Sequence, residues 1–173
     1  MVDSAVSSGG SGTSGGIPPG PSVEPPHSIA QARVDDKGRL KLPAEFLEYL
    51  RELKVEKIFI TTVDRQLARL YPIPVWKANE GFFDSAGEMA ELAEDVAYVA
   101  KYYGGDSAID PQGRVLIPAL LRDLLELESQ TVFLDCYRGR INMATKQVHE
   151  ERLNRALANL PEKVKTLEKK GMK

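Results

Sequence analysis

Asp35 and Arg39 stand four residues apart in Asp35-Asp36-Lys37-Gly38-Arg39, and Asp110 and Arg114 repeat the relation in Asp110-Pro111-Gln112-Gly113-Arg114. An Asp side chain bonds backbone amides just downstream of itself, and a glycine supplies the positive φ that closes such a turn. Gly38 and Gly113 are placed for that second task, and Asp35 and Asp110 for the first. Each Asp would brace its turn or orient the guanidinium, and would not itself touch an anion. Arginine's planar fork binds a phosphate, or the O6/N7 edge of guanine, through two parallel bonds. Strand alternation after the first turn puts Leu40 and Leu42 on one face and Arg39 and Lys41 on the other. Lys37 sits at the tip, and Arg33 lies two residues before Asp35. The first turn is therefore ringed by Arg33, Lys37, Arg39 and Lys41. The second carries Gln112 at its tip, with Arg114 and Leu116 outward. This predicts phosphate contact mainly from the first turn, and contact between Leu116 and another protein surface. An Asp and an Arg across one turn would otherwise be a surface ion pair worth ~0–1 kcal/mol. The duplication argues for more.

The elements that must hold these turns repeat as well. The stretch from Val34 to Ala44 recurs from Ile109 to Ala119 at an offset of 75 residues, keeping Asp, Gly, Arg, Pro and Ala in place. Each copy continues into a helical stretch, an apolar strand (Ile58-Phe59-Ile60 and Val132-Phe133-Leu134), a turn, a second strand and a helix. In copy one, 29–34 is expected to pair with 39–42 as a hairpin through the turn at 35–38. Pro43 opens a helix at the position where a missing N–H costs nothing. Phe46, Leu47, Leu50 and Leu53 form its apolar stripe over 44–53. Strands are predicted at 57–63 and 67–71, then at 131–137 and 140–144. A helical connector spans 85–103. Thr145 caps a C-terminal helix with Leu153, Ala156, Leu157 and Leu160 on one face. A unit this small exposes sheet edges and buries only ~60 % of its unfolded surface, so the two must pack on each other. The expected product is α+β: a pseudo-twofold pairing of the halves into one β-barrel with helices around it.

Composition narrows the function. The chain has 173 residues and a net charge of −2, with 42 % hydrophobic and 28 % charged residues, as in an ordinary globular protein. Residues 1–27 hold 6 of the 14 Gly and 5 of the 11 Pro, so they read as a disordered tail or equally as an artificial linker. The expected divisions are this tail, unit 1 at 28–74, a connector at 75–105, unit 2 at 106–147 and a helical end at 148–173. Their charge is uneven: 81–105 nets −4 and 145–173 nets +4. Any anion-binding surface must then be local. The single Cys136 excludes an internal disulfide framework, and two histidines make a structural zinc site improbable. No apolar run is long enough to span a membrane, and the N-terminus has no signal-peptide pattern, so a cytoplasmic protein is expected. No nucleophile–base set, phosphate-cradling loop or metal spacing is present, so no catalytic residue, metal or cofactor is predicted. Cys136 reads as a small core residue, and His149 beside Glu150 and Glu151 as no metal site, since those side chains point different ways. Trp76, Tyr102 and Tyr103 read as packing, and the lysines of 163–173 as a solvated helix end.

The paired motifs, the Pro-Ala after each, and Leu70-Tyr71-Pro72-Ile73-Pro74-Val75-Trp76 resemble the MraZ family, whose chains carry tandem SpoVT/AbrB-type domains. The resemblance covers about residues 28–155, and against the family's pattern the approach to the second motif at 104–109 is short, which implies a truncated strand there. It implies swapped-hairpin half-units and a transcriptional regulator, expected as a repressor of the division and cell-wall gene cluster. It also implies subunits assembled in a ring at the nucleoid, with the D-x-x-x-R turns on direct repeats of double-stranded DNA and no small-molecule substrate. The candidate DNA-binding residues are then Arg33, Lys37, Arg39, Lys41, Gln112 and Arg114, braced by Asp35, Gly38, Asp110 and Gly113. The alternative is an oligomeric interaction scaffold without DNA binding, favoured by the acidic connector and the single-charge second turn.

Overall fold

A computed structural model describes residues 23–173. Most of the expected tail lies outside the described residues, but Val23 packs against the hydrophobic core. The order is β1 (Ala30–Arg33), β2 (Arg39–Lys41), α1 (Ala44–Glu52), β3 (Lys57–Thr61), β4 (Ala68–Pro72) and α2 (Ile73–Asp84). A short 3-10 turn leads into α3 (Ala90–Tyr103), then β5 (Gly105–Ala108), β6 (Arg114–Leu116), α4 (Ala119–Leu125), β7 (Thr131–Tyr137) and β8 (Arg140–Thr145). The chain ends in α5 (Lys146–Leu157) and α6 (Leu160–Glu168). The 75-residue offset carries β1 onto β5 and β2 onto β6 without slippage. The strand before the second motif is thus as long as its counterpart, not shortened.

Pairing crosses the repeat. Six antiparallel strands lie in the order β1-β7-β8-β4-β3-β5, so each half's first strand adds to the other half's hairpin. The β2 and β6 strands pair only with each other, as a separate two-stranded ribbon. Two expectations are corrected here. The 29–34 and 39–42 arms do not form a hairpin; beyond the single bridge Val34↔Leu40 they diverge into different sheets. Nor is a closed barrel found among the described residues, because β1 and β5 end the large sheet and the ribbon stands apart. Pro43 and Pro118, which cap α1 and α4, cannot donate to a ladder, and β2 and β6 stop at three residues each.

One core serves both halves. Leu40, Phe46, Leu50, Ile58, Ile60 and Leu70 from the first meet Val115, Ile117, Leu121, Leu134 and Ile141 from the second, all essentially without solvent contact. Alternation along β3, β4, β7 and β8 sends the intervening side chains to the outer face of the sheet. There Trp76 of α2 packs on Phe59 and Tyr71, with ring centroids 4.7 and 5.0 Å away, and edge-on to Phe83. Trp76 is therefore a packing residue, as its sequence position suggests; Tyr102 touches Tyr103 but stays largely exposed.

Two helix boundaries also differ from expectation. Leu53 leaves the apolar stripe of α1 as its C-cap and is exposed, because Lys54 turns into the left-handed region, and Tyr49 completes the buried face instead. Thr145 does cap α5, its Oγ1 accepting the amide of Val148 at 3.2 Å. The C-terminal helix then breaks at Asn159 (φ 55°), followed by Pro161, so Leu160 belongs to α6 and not to the face of Leu153 and Leu157. An Asn that tolerates positive φ with Pro two residues on is a local stop signal that outweighs the apolar period.

Candidate nucleic-acid interface

The two turns are built alike, atom for atom. Asp35 Oδ1 accepts the amides of Lys37 and Arg39, both at 2.9 Å, and its Oδ2 accepts Arg39 Nε at 2.8 Å. Asp110 takes the amides of Gln112 and Arg114 at 2.9 Å and Arg114 Nε at 2.8 Å in the same way. Gly38 and Gly113 close the turns at φ 77° and 75°, each donating its amide to the carbonyl of the turn's Asp. The Arg39 amide has the largest part in holding the Asp35 carboxyl below its ordinary range, with the Arg39 side chain and the Lys37 amide adding to it against desolvation. The Arg114 amide leads the same effect at Asp110. Both aspartates are consequently ionised braces at neutral pH.

The ribbon joins these turns into one surface. Arg39 stands opposite Leu116, Leu40 opposite Val115, and Lys41 opposite Arg114. The amide of Leu42 bonds Gly113 O and that of Ile117 bonds Gly38 O, both at 3.0 Å, so each strand is tied to the other's turn. Leu40 and Val115 point into the core, which leaves Arg39, Lys41, Arg114 and Leu116 together on the outer face. Arg39 and Arg114 are each about one-third exposed (32 % and 28 %) and commit only Nε to their aspartates. Neither guanidinium has a hydrogen bond on its Nη atoms among the described residues, so each keeps both Nη nitrogens free to donate. Lys41 Nζ reaches the carbonyl of Gln112 at the tip of the opposite turn.

Of the residues predicted from the sequence, the ribbon gathers Arg39, Lys41 and Arg114, with Lys37 and Gln112 exposed at the two tips. Arg33 is exposed too, but it ends the edge strand β1 opposite Thr131 and belongs to the large sheet. Leu116 is 53 % exposed beside the arginines.

Two supports escape a sequence reading. Arg122 of α4 lies directly under Gly38, donating Nη1 to Lys37 O at 3.1 Å and to Glu128 Oε1 at 3.2 Å. Leu47 of α1 lies under Gly113, where an added Cβ would come within 2.6 Å of its Cδ2. Each turn is floored by the helix of the other half. Leu47 and Arg122 are repeat equivalents, so the signal that could have found them is a charge standing where the other copy has a buried-face leucine.

Fold and ribbon together define a class: a duplicated α+β chain whose halves exchange first strands and present two Asp-braced arginine turns side by side. No protein-family model matches the chain. It is similar to the protein named transcriptional regulator MraZ from Acidobacterium capsulatum, 36 % identical over 100 residues, covering 58 % of this chain and 68 % of that one. The MraZ of Koribacter versatilis is 33 % identical over 103 residues (59 % and 70 %), and that of Solidesulfovibrio magneticus 30 % over 127 residues (73 % and 83 %). The chain belongs to the MraZ family.

Proposed function

We propose that this chain is a DNA-binding transcriptional regulator that reads duplex DNA with the β2–β6 ribbon. The single observation carrying this reading is the outer ribbon face, where two braced arginines with unoccupied Nη donors flank Lys41. A two-stranded ribbon is narrow enough for the major groove, and a guanidinium there can take guanine O6/N7 or a backbone phosphate. Arg39, Lys41 and Arg114 are the central contacts, Lys37 and Gln112 the tip contacts, and Arg33 an outlying phosphate contact. The family name of the relatives supports regulation of transcription, read here as repression of the division and cell-wall gene cluster through direct repeats in its promoter, at the nucleoid.

Several copies acting together are part of the proposal. One ribbon carries few charges, and linked weak contacts gain affinity through effective concentration. Self-association is supported by two exposed faces of opposite charge. The acidic α2–α3 connector shows Phe82, Leu92 and Tyr98 to solvent, the last 75 % exposed, while the lysine-rich α5–α6 arm shows Leu153, Leu157 and Leu167. Seating the arm of one copy on the connector of the next is a heterologous contact, the type that forms a ring when the rotation between copies closes.

The test is binding to the protein's own upstream region across a salt series. Affinity should fall steeply with salt, and Arg39→Ala should weaken it by about tenfold with a shallower slope, the assembly staying intact. Unchanged binding by both Arg39→Ala and Arg114→Ala would overturn the assignment. The exposed Leu116 favours one second reading, an interaction scaffold, which predicts partner binding indifferent to salt and lost in Leu116→Asp.

A further inference from the structure

The outer face of the large sheet holds a second polar constellation, on strands that the ribbon does not use. Arg69 on β4 stands opposite Asn142 on β8, which stands opposite Asp135 on β7, and Arg140 stands opposite Tyr137. Opposed residues share a face, as do residues two apart on one strand, so all five lie on one side. Asn142 is buried and oriented: its Oδ1 accepts Arg140 Nε at 3.0 Å, and its Nδ2 donates to Asp135 at 3.5 Å. Arg140 and Arg138 both lie 5.0 Å from the centre of the Tyr137 ring.

Neither Arg69 nor Arg140 has a carboxylate within ion-pair distance among the described residues. Arg69 donates Nη1 to Tyr71 Oη at 3.2 Å, while its Nε is enclosed with no hydrogen-bond partner. Burial above all, and then repulsion from Arg69, pulls the Arg140 pKa down from its ordinary value. Two part-buried guanidiniums side by side without a counter-charge, one with an unsatisfied donor, are a standing cost to the fold.

A cavity of about 460 Å³ opens over Arg140, between the sheet and α5. That is within the size range of small-molecule sites. Its apolar wall is Phe133, on which His149 stacks at 3.9 Å and 9°, with Val148, Leu67 and Ile29 alongside. Arg152 and Arg155 of α5 complete its cationic side. Three carboxylates also line it, and each already accepts hydrogen bonds. Asp64 takes the amides of Gln66 and Leu67, Asp135 takes Asn142, and Glu151 takes Gln147 at 3.1 Å. The lining thus carries three arginines and three carboxylates, and none of its guanidiniums, Arg140 the half-buried one among them, has an ion-pair partner among the described residues.

We propose that this cavity binds a small organic anion, its oxyanion head on Arg140 and Arg152 and its flat or apolar body along Phe133 and Val148. The head supplies the ion-pair partner that Arg140 lacks among the described residues, and the apolar wall selects against a bare inorganic ion. This site is separate from the ribbon and does not depend on the DNA reading.

Calorimetric titration and thermal melting of the full chain test it with four probes: phenyl phosphate, benzoate, inorganic phosphate and phenol. Saturable binding, one per chain, is expected for phenyl phosphate or benzoate, and the preferred one identifies the head group. Inorganic phosphate should bind at least tenfold more weakly, and phenol should not register. Arg140→Gln should lower the affinity at least tenfold, with the free protein's melting temperature read alongside, since the bond to Asn142 Oδ1 is lost together with the repulsion from Arg69. Arg152→Gln, on the exposed face of α5, provides the same comparison should the first variant fail to fold. Absence of saturable binding by both organic anions, or equal binding by the variants, would overturn the proposal.

Discussion

Asp35 and Asp110 make the same three bonds in two different sequence contexts, Asp36-Lys37 in one turn and Pro111-Gln112 in the other. The intervening residues are therefore free to vary, and what the turn demands is the acid, the glycine and the arginine. Both carboxyls titrate below the ordinary value of 3.8 in the folded protein. The folded state thus binds fewer protons than the unfolded one between those values. The resulting stabilisation is fully present above 3.8 and is lost as pH falls through the lowered values. Urea unfolding at pH 7 and pH 3 should show the Asp35→Asn/Asp110→Asn protein less stable than the parent at pH 7, with the gap narrowing at pH 3. A gap of constant size would mean that the braces do not titrate with the fold. Cys136 is the opposite case, its thiol pushed up to about 11 by burial and then by Asp135. It stays protonated and unreactive at neutral pH, in keeping with a residue packed against the core.

The ribbon and the helices beneath it stand or fall together. Gly38 combines positive φ with the Arg122 side chain directly below, so Gly38→Ala meets both a backbone penalty and a clash. It should destabilise the protein by about 1–3 kcal/mol. In an Arg122→Ala background the clash part should disappear and the backbone part remain; denaturant melts of the four proteins separate the two. The turns were legible in the sequence because their signals are local: Asp bonding forward, Gly at positive φ, Pro-Ala opening a helix. The partners of the strands were not. The sequence around 29–42 reads as a hairpin, and nothing local says that 30–33 adds to β7 about a hundred residues on. Pairing is decided by where the whole apolar face can be buried, and here the other half provides that place. Arg122 was missed for a related reason, since its role is visible only once its helix is known to lie under the other copy's turn.

The whole molecule carries a small net charge of −2 and is polarised in detail. The −4 of 81–105 and the +4 of 145–173 sit on helices that both show large apolar side chains to solvent. Removing 160–173 should lower the assembled mass in sedimentation at low salt, and high salt should shift the intact chain in the same direction. An unchanged mass in both tests would leave the arm out of the assembly. Removing 1–22 should change neither mass nor melting temperature, whereas a cut beyond Val23 takes a core contact with it. The exchange of β1 and β5 has a consequence of another kind. A lone unit of this fold is missing a strand and a floor for its turn, and would have to find a twin in solution. The stretch from α2 through α3 replaces that search with a tether, so completion no longer depends on concentration. Once tethered, the twins are released from being identical. Leu47 lies under one turn and Arg122 under the other, and the outer face of the ribbon carries Arg39 and Lys41 on one strand but Arg114 and the exposed Leu116 on the other. A two-fold object has acquired a direction, which the proposed contact with duplex DNA would impose on whatever word it meets.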